Sequence, residues 1–204
     1  KLEWPGIVEA LGLIGSTQIQ GRATIGGNLC NGSPAADSVP AMIAADAMVV
    51  IQGKAGRREV LVNDFVVGPG ISVLRADEIV VSIRLPKRLS HASDAYLRFI
   101  PRTEMDIAVV GVGVNIALDE DGRIIMARVA LGAVAERAIL VVDAANAILG
   151  TKLDEAALVR LSEATREACR PIDDKRGTKK FRIDIAGTLA GRAAKISFER
   201  ARIK

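Results

Sequence analysis

Nine residues constrain this chain more than any others: Val110-Gly111-Val112-Gly113-Val114-Asn115-Ile116-Ala117-Leu118 alternate strictly between large aliphatic and small side chains. Successive side chains on a strand point to opposite faces, so Val110, Val112, Val114, Ile116 and Leu118 share one apolar face, and Gly111, Gly113, Asn115 and Ala117 share the other. Small residues on the second face let another layer approach closely. The segment Asp119-Glu120-Asp121-Gly122 has the composition of a hairpin turn. It predicts a returning strand whose apolar face carries Ile125, Ala127, Val129, Leu131 and Ala133. A strand at 95–100 precedes this hairpin and completes a three-stranded antiparallel sheet.

Beyond residue 150 the apolar period becomes helical. Asp154 is a candidate N-cap, Leu158, Leu161 and Ala164 fall on one side of the helix, and Pro171 stops it. A final helix is expected to bury Phe181, Ile185, Leu189, Ala193 and Ile196 and to leave Lys180, Arg192, Lys195 and Arg202 outside. Strands followed by helices predict a small sheet covered by a three-helix layer.

The first ninety residues have shorter elements. They read as a helix at 7–14, a Gly-rich stretch at 21–32 and a helix at 37–45. Two β-rich runs at 48–52 and 57–62 follow, then a strand at 79–85 closed by Pro86. The texture changes near 90–94, which divides the chain into units 1–92 and 93–204. The fold class is α+β.

Composition removes several functions. The longest uncharged aliphatic run, 107–118, falls short of the roughly 20 residues a membrane helix needs, and the N-terminal residues lack a signal-peptide pattern. A cytoplasmic protein without a membrane span is expected. Cys30 and Cys169 lie in no metal-type spacing and His91 is the single histidine, so no metal ligands and no catalytic residues are assigned. Cys30 itself reads as a small buried hydrophobe. The net charge of +4 is concentrated in residues 175–204, where ten Lys or Arg face only Asp184 and Glu199. Aromatic content of 3% leaves few platforms for stacking bases, and no recognition motif accompanies the charge, so no nucleic acid is expected as a partner.

The segment with the most chemistry is Arg22-Ala23-Thr24-Ile25-Gly26-Gly27-Asn28-Leu29, followed by Ser33-Pro34-Ala35-Ala36-Asp37. Adjacent glycines let backbone N–H groups come close to an anionic cofactor without Cβ interference. Thr24 and Asn28 add a hydroxyl and an amide donor. Asp37 stands where a helix begins, where a carboxylate either caps that helix or accepts hydrogen bonds from sugar hydroxyls.

This string resembles the second flavin-binding segment of the FAD-binding medium subunits of molybdenum hydroxylases, the xanthine dehydrogenase and carbon monoxide dehydrogenase flavoprotein family. There a Thr-(Ile/Leu)-Gly-Gly-Asn loop precedes Ser-Pro and an Asp that contacts FAD. Further along, Asp77-Glu78-Ile79-Val80-Val81 running to Pro86 and Arg102-Thr103-Glu104-Met105-Asp106-Ile107-Ala108 match the family in order. The end of the chain, Arg176-Gly177-Thr178-Lys179-Lys180-Phe181-Arg182, is similar to the family's Arg-Gly-Ser-x-x-Tyr-Arg signature, with Phe181 in place of Tyr.

The resemblance implies the remainder of a PCMH-type FAD-binding domain followed by a CO dehydrogenase flavoprotein C-terminal-like domain. It implies an oxidoreductase subunit with FAD as cofactor, and Thr24, Ile25, Gly26, Gly27, Asn28 and Asp37 as the core of the flavin site. Ile14 would pack near the isoalloxazine, Val80 would lie against it, and Arg98 would hold a basic, flavin-facing position. The partners implied are a large subunit with the molybdenum cofactor and a small subunit with two [2Fe–2S] clusters, which pass electrons to the flavin for delivery to an external acceptor. The family's first Gly-rich loop has no counterpart here, so an N-terminal subdomain of about ninety residues is expected to be missing, with weak FAD binding by the isolated chain. The alternative of a different class is a non-enzymatic α+β assembly or scaffold module that docks through its basic C-terminal helix.

Overall fold

In a computed structural model, which describes residues 3–102 and 106–203, those residues form eight helices and nine strands. The first half holds α1 (Pro5–Leu11), α2 (Thr17–Gln20), α3 (Ile25–Cys30), α4 (Ser38–Ala44), β1 (Met48–Gly53), β2 (Gly56–Leu61), α5 (Val62–Phe65), β3 (Val66–Gly68), β4 (Ile71–Ser72) and β5 (Ile79–Arg84). The second holds β6 (Ala92–Phe99), β7 (Val110–Leu118), β8 (Ile124–Gly132), β9 (Ile139–Leu140), α6 (Val142–Asn146), α7 (Glu155–Ala168) and α8 (Lys179–Ile203). The α+β class, the small antiparallel sheet and the three-helix layer are all present. The sheet has a fourth, two-residue strand, giving the order β6-β7-β8-β9.

β7 is buried along its whole length, as its two-faced alternation requires. The aliphatic face, Val110 through Leu118, packs with Leu158 and Leu161 of α7 and Leu189, Ala193 and Phe198 of α8. The small face receives α4. A Cβ added to Gly113 would stand 2.6 Å from the Pro40 carbonyl oxygen and 3.0 Å from the Ala41 Cα, so only glycine allows the helix backbone so near. Asn115 donates to the Ala44 carbonyl (3.2 Å) and Arg128 to the Ile43 carbonyl (3.1 Å), which satisfies the last turn of α4 from the sheet. α1 lies against β6, where its Ile7 N–H donates to Asp94 at 3.2 Å. The smaller sheet, β2-β1-β5, encloses a second core of Leu29, Met42, Ile43, Val49, Ile51 and Phe65 with α3 and α4.

Two details depart from the expectation. Ile125 is 58% exposed because a register shift at Ala117/Leu118 brings Ile124 opposite Leu118 and into the core instead. In α8 the buried stripe is Arg182, Ala186, Gly187, Leu189, Ala190, Ala193, Ala194, Ser197, Phe198 and Ala201. Phe181 is exposed and Ile185 and Ile196 are half-buried. Phe181 instead makes an edge contact with Phe99 at 5.5 Å between ring centres. Of the four outward cations, Lys195 pairs with Glu155 (3.6 Å) and Arg202 with Glu199 (3.5 Å). Asp154 does cap α7, accepting from the Ala157 N–H at 2.8 Å.

Candidate functional site

The Gly-rich stretch contains a helix that its composition does not suggest. Gly26 and Gly27 each lower helix propensity by about 1 kcal/mol relative to alanine, yet α3 forms because both of its ends are anchored. Thr24 is its N-cap, its Oγ1 accepting from the Gly27 N–H at 2.9 Å, and Leu29 is fully buried in the second core. The Ile25 and Gly26 amides lie in the first turn, where N–H groups have no intrahelical acceptor.

Asn28 then organises the next helix. Its Oδ1 accepts from the Ser38 N–H (3.3 Å) and the Ser38 hydroxyl (2.6 Å), so Asn28, not Asp37, caps α4 and keeps its own NH₂ as a donor. Asp37 has helical backbone angles and makes no capping bond, which removes the capping alternative for its carboxylate. The side chain turns inward. Its Oδ1 accepts from the Tyr96 hydroxyl at 2.9 Å and its Oδ2 from Arg98 at 2.8 Å, in a pair whose side chains are 10% and 7% exposed. Burial raises the Asp37 pKa above its ordinary value, against the Arg98 charge and the two hydrogen bonds that lower it. Burial likewise pushes the Tyr96 phenol well up, so it stays protonated and donates.

The expected site residues therefore fall into one connected set and one outlier. Thr24, Ile25, Gly26, Gly27 and Asn28 form α3 with its cap. Asn28 binds the residue after Asp37, Asp37 binds Arg98, and Arg98 also donates to the Leu13 carbonyl at 2.9 Å, beside the buried Ile14. Val80 is the outlier. It pairs with Ile51 and its side chain packs into the second core with Ile25, while Ile79 and Val81 on the opposite face are exposed. Tyr96 was absent from the sequence-derived set. Its position two residues before Arg98 on one strand was the available signal, because residues i and i+2 share a face. Residues 103–105, the middle of the Arg102 to Ala108 motif, lie outside the described residues.

Cys30 is exposed rather than buried, and partial desolvation raises its thiol pKa. Cys169 is the buried one, its thiol donating to the Thr165 carbonyl at 3.2 Å and pushed up to about 11 by burial. A raised pKa disfavours the reactive thiolate at both positions.

The two central glycines of α3 differ from those of β7 in a way that tests the cofactor reading. Neither has a left-handed φ. A Cβ on Gly27 would meet only its own cap, Thr24 Oγ1 at 3.0 Å, and a Cβ on Gly26 would meet no protein atom within 4 Å. The packing of this chain thus gives no reason for glycine at 26. A cofactor lying against the backbone would, and the residues present fit FAD: first-turn amides, the amide donor on Asn28, and the buried Asp37 carboxylate on the residue before Ser38, which Asn28 binds.

A model described as the FAD binding domain in molybdopterin dehydrogenase matches residues 1–88, and one described as the CO dehydrogenase flavoprotein C-terminal domain matches residues 95–196, half of the chain. The chain belongs to this flavoprotein family. Within it, the carbon monoxide dehydrogenase medium chain of Hydrogenophaga pseudoflava is 30% identical over 197 residues, covering 96% of this chain and 68% of its own. The solved carbon monoxide dehydrogenase from the same organism superposes with a TM-score of 0.91 at 31% identity, over 96% of this chain and 68% of that one. The xanthine dehydrogenase FAD-binding subunit of Escherichia coli O157:H7 is 32% identical over 186 residues, 91% of this chain and 63% of its own. The chain thus spans a little under two thirds of the length of that flavoprotein subunit. Quinoline 2-oxidoreductase from Pseudomonas putida 86 shares the fold with a TM-score of 0.85 at 27% identity, over 95% of this chain and 66% of that one. No helix among the described residues is long and apolar enough to cross a membrane.

Proposed function

We propose that this chain is the FAD-binding, electron-transferring subunit of a cytoplasmic molybdenum-containing hydroxylase or dehydrogenase. It would accept electrons from the [2Fe–2S] clusters of a small partner subunit and pass them to an external acceptor, while a large molybdenum subunit oxidises the substrate. Residues 1–92 would supply part of the flavin-binding domain and 93–204 the C-terminal flavoprotein domain. When bound, FAD supplies the redox chemistry, and the protein contributes binding, orientation and electrostatics.

The observation that carries this reading is Gly26, whose missing side chain faces open space beside first-turn amides. Around it, the Ile25 and Gly26 N–H groups and the Asn28 NH₂ would donate to a phosphate or flavin oxygen, and Asp37 would accept from a sugar hydroxyl. The geometry changes the expected part of Arg98. Paired to Asp37 at 2.8 Å, its charge is offset within the site, so Arg98 holds Asp37 in place and the α3 amides face any negative charge that builds on the cofactor. Ile14 would contribute apolar contact next to Leu13, and Val80 would reach the cofactor through its backbone.

Purification with the co-expressed large and small subunits tests the reading. A yellow-brown complex with flavin absorbance in proportion to this chain is expected. A colourless complex, or one with iron–sulfur absorbance alone, would overturn it in favour of an assembly module.

A further inference from the structure

We propose that Tyr96 is a positioning residue of the flavin site, fixing the plane of the Asp37 carboxylate from beneath, and that Gly111 exists to admit its hydroxyl. The inference deepens the flavin reading and rests on Asp37 contacting the cofactor.

Tyr96 sits on β6 in an apolar cluster with Trp4, Ile7, Ala10, Ala41 and Ala45 and is 2% exposed. Phenylalanine would fill that cluster equally well. A desolvated phenol hydroxyl is unfavourable unless it is hydrogen-bonded, and its recorded partner is Asp37 Oδ1 at 2.9 Å. The neighbouring strand makes the space. A Cβ on Gly111 would stand 2.5 Å from the Tyr96 hydroxyl oxygen and 3.3 Å from Cζ, so any larger residue displaces the phenol from Asp37. Arg98 alone cannot orient the carboxylate, since one hydrogen bond to Oδ2 leaves the group free to turn about its Cβ–Cγ bond. A second donor on Oδ1 locks that rotation, and the carboxylate, 10% exposed, keeps a lone pair on each oxygen for a further donor. Gly113 serves the same end from below, by letting α4, and Asp37 before it, settle onto the sheet.

Tyr96 and Arg98 face Asp37 from β6. Glu9 of α1 accepts from the Tyr96 backbone N–H at 3.0 Å and is itself paired with Arg200 of α8. Removing the hydroxyl takes away one of the influences that lower the Asp37 pKa, so a fall in pH should weaken cofactor binding more without the hydroxyl than with it.

The test uses the three-subunit complex stripped of flavin and titrated with FAD at pH 6 and pH 8. At temperatures well below melting, where the variant is fully folded, Tyr96→Phe should weaken FAD binding about tenfold, the range of a lost hydrogen bond to a charged group, with a larger loss at pH 6 than at pH 8. Gly111→Ala, which keeps the hydroxyl but crowds it, should reproduce the loss. In an Asp37→Asn background, Tyr96→Phe should add little and the pH dependence should vanish. Wild-type affinity and pH profile in Tyr96→Phe would overturn the proposal, as would a loss of affinity that only tracks a fall in melting temperature. A wild-type complex that takes up no FAD would instead overturn the flavin reading beneath it.

Discussion

Two buried arginines each reach an aspartate at 2.8 Å, Arg98 to Asp37 beside α3 and Arg182 to Asp174 at the start of α8, and the two carboxyl groups respond in opposite directions. Asp174 has its pKa lowered, first by the Arg176 N–H and then by Arg182, and its side chain is 30% exposed. Asp37 has its pKa raised, because burial outweighs both of its donors. Arg182 also donates to the Val109 carbonyl at 2.8 Å and the Ala133 carbonyl at 3.3 Å, so it ties the C-terminal signature to the ends of β7 and β8. The Ala133 N–H in turn holds the Pro34 carbonyl at 2.7 Å, three residues before Asp37. One pair is built into the scaffold and gains from its surroundings. The other is held against its surroundings by the scaffold, as Asp94 is beside Arg88.

Removing the cation from each pair should separate them. Arg98→Ala leaves a carboxylate buried without its ion partner and is expected to destabilise the protein by about 3–5 kcal/mol. Arg182→Ala leaves Asp174 near enough to water to be hydrated, and its main cost is the buried Val109 carbonyl, about 1–3 kcal/mol. Urea unfolding of the two variants measures the difference. A smaller loss for Arg98→Ala than for Arg182→Ala would break the comparison.

Titration sharpens it. The folded-state pKa of Asp37 lies above its ordinary value of 3.8, so the folded protein binds this proton more tightly than the unfolded chain. Stability from Asp37 is full below 3.8, is lost as pH rises through the raised value, and is constant above that. Asp174 has the opposite sign: its contribution is present above 3.8 and is lost as pH falls through the lowered value. Asp94, raised by burial against Arg88, shares the Asp37 window, so the difference between wild type and Asp37→Asn isolates the one group. Unfolding free energy measured from pH 4 to 7 should fall with pH more steeply in wild type than in Asp37→Asn. Parallel curves would mean that Asp37 is not held against burial.

The contrast also marks what a sequence can disclose. The strict alternation of β7 made both of its faces legible, and the small face correctly announced a layer in close contact, here α4. The string from Thr24 to Asn28 and Asp37 stand out in the sequence. Their connection does not, because Asp37 finds Tyr96 and Arg98 at separations of 59 and 61 residues, which no local pattern encodes. The phase of α8 is hidden for a different reason: half of its buried residues are alanine and Arg182 is among the rest, so large apolar residues are poor guides to it. Ile125 was misplaced by a one-residue register shift in β8, set by pairing with β7 rather than by the composition of either strand.

The smallest expected effect is the most discriminating for the site. Gly26 lies inside a helix with an ordinary φ and with open space where its side chain would be, so alanine there meets no protein atom. Glycine within a helix is less stable than alanine by about 0.5–1 kcal/mol, and Gly26→Ala should therefore raise the stability of the cofactor-free protein by that amount. If the backbone at 26 is where FAD approaches, the added methyl group occupies the cofactor's place and flavin content should fall in the same variant, with Gly26→Val losing more. Stability and occupancy would then move in opposite directions on one substitution, which damage to the fold cannot produce. Gly113→Ala is the control. Its Cβ would press into the α4 backbone at 2.6 Å, so stability should fall by about 1–3 kcal/mol, with flavin lost only as the folded fraction declines. Full flavin content in a stabilised Gly26→Ala would show that this glycine admits no cofactor and would leave its presence in α3 unexplained.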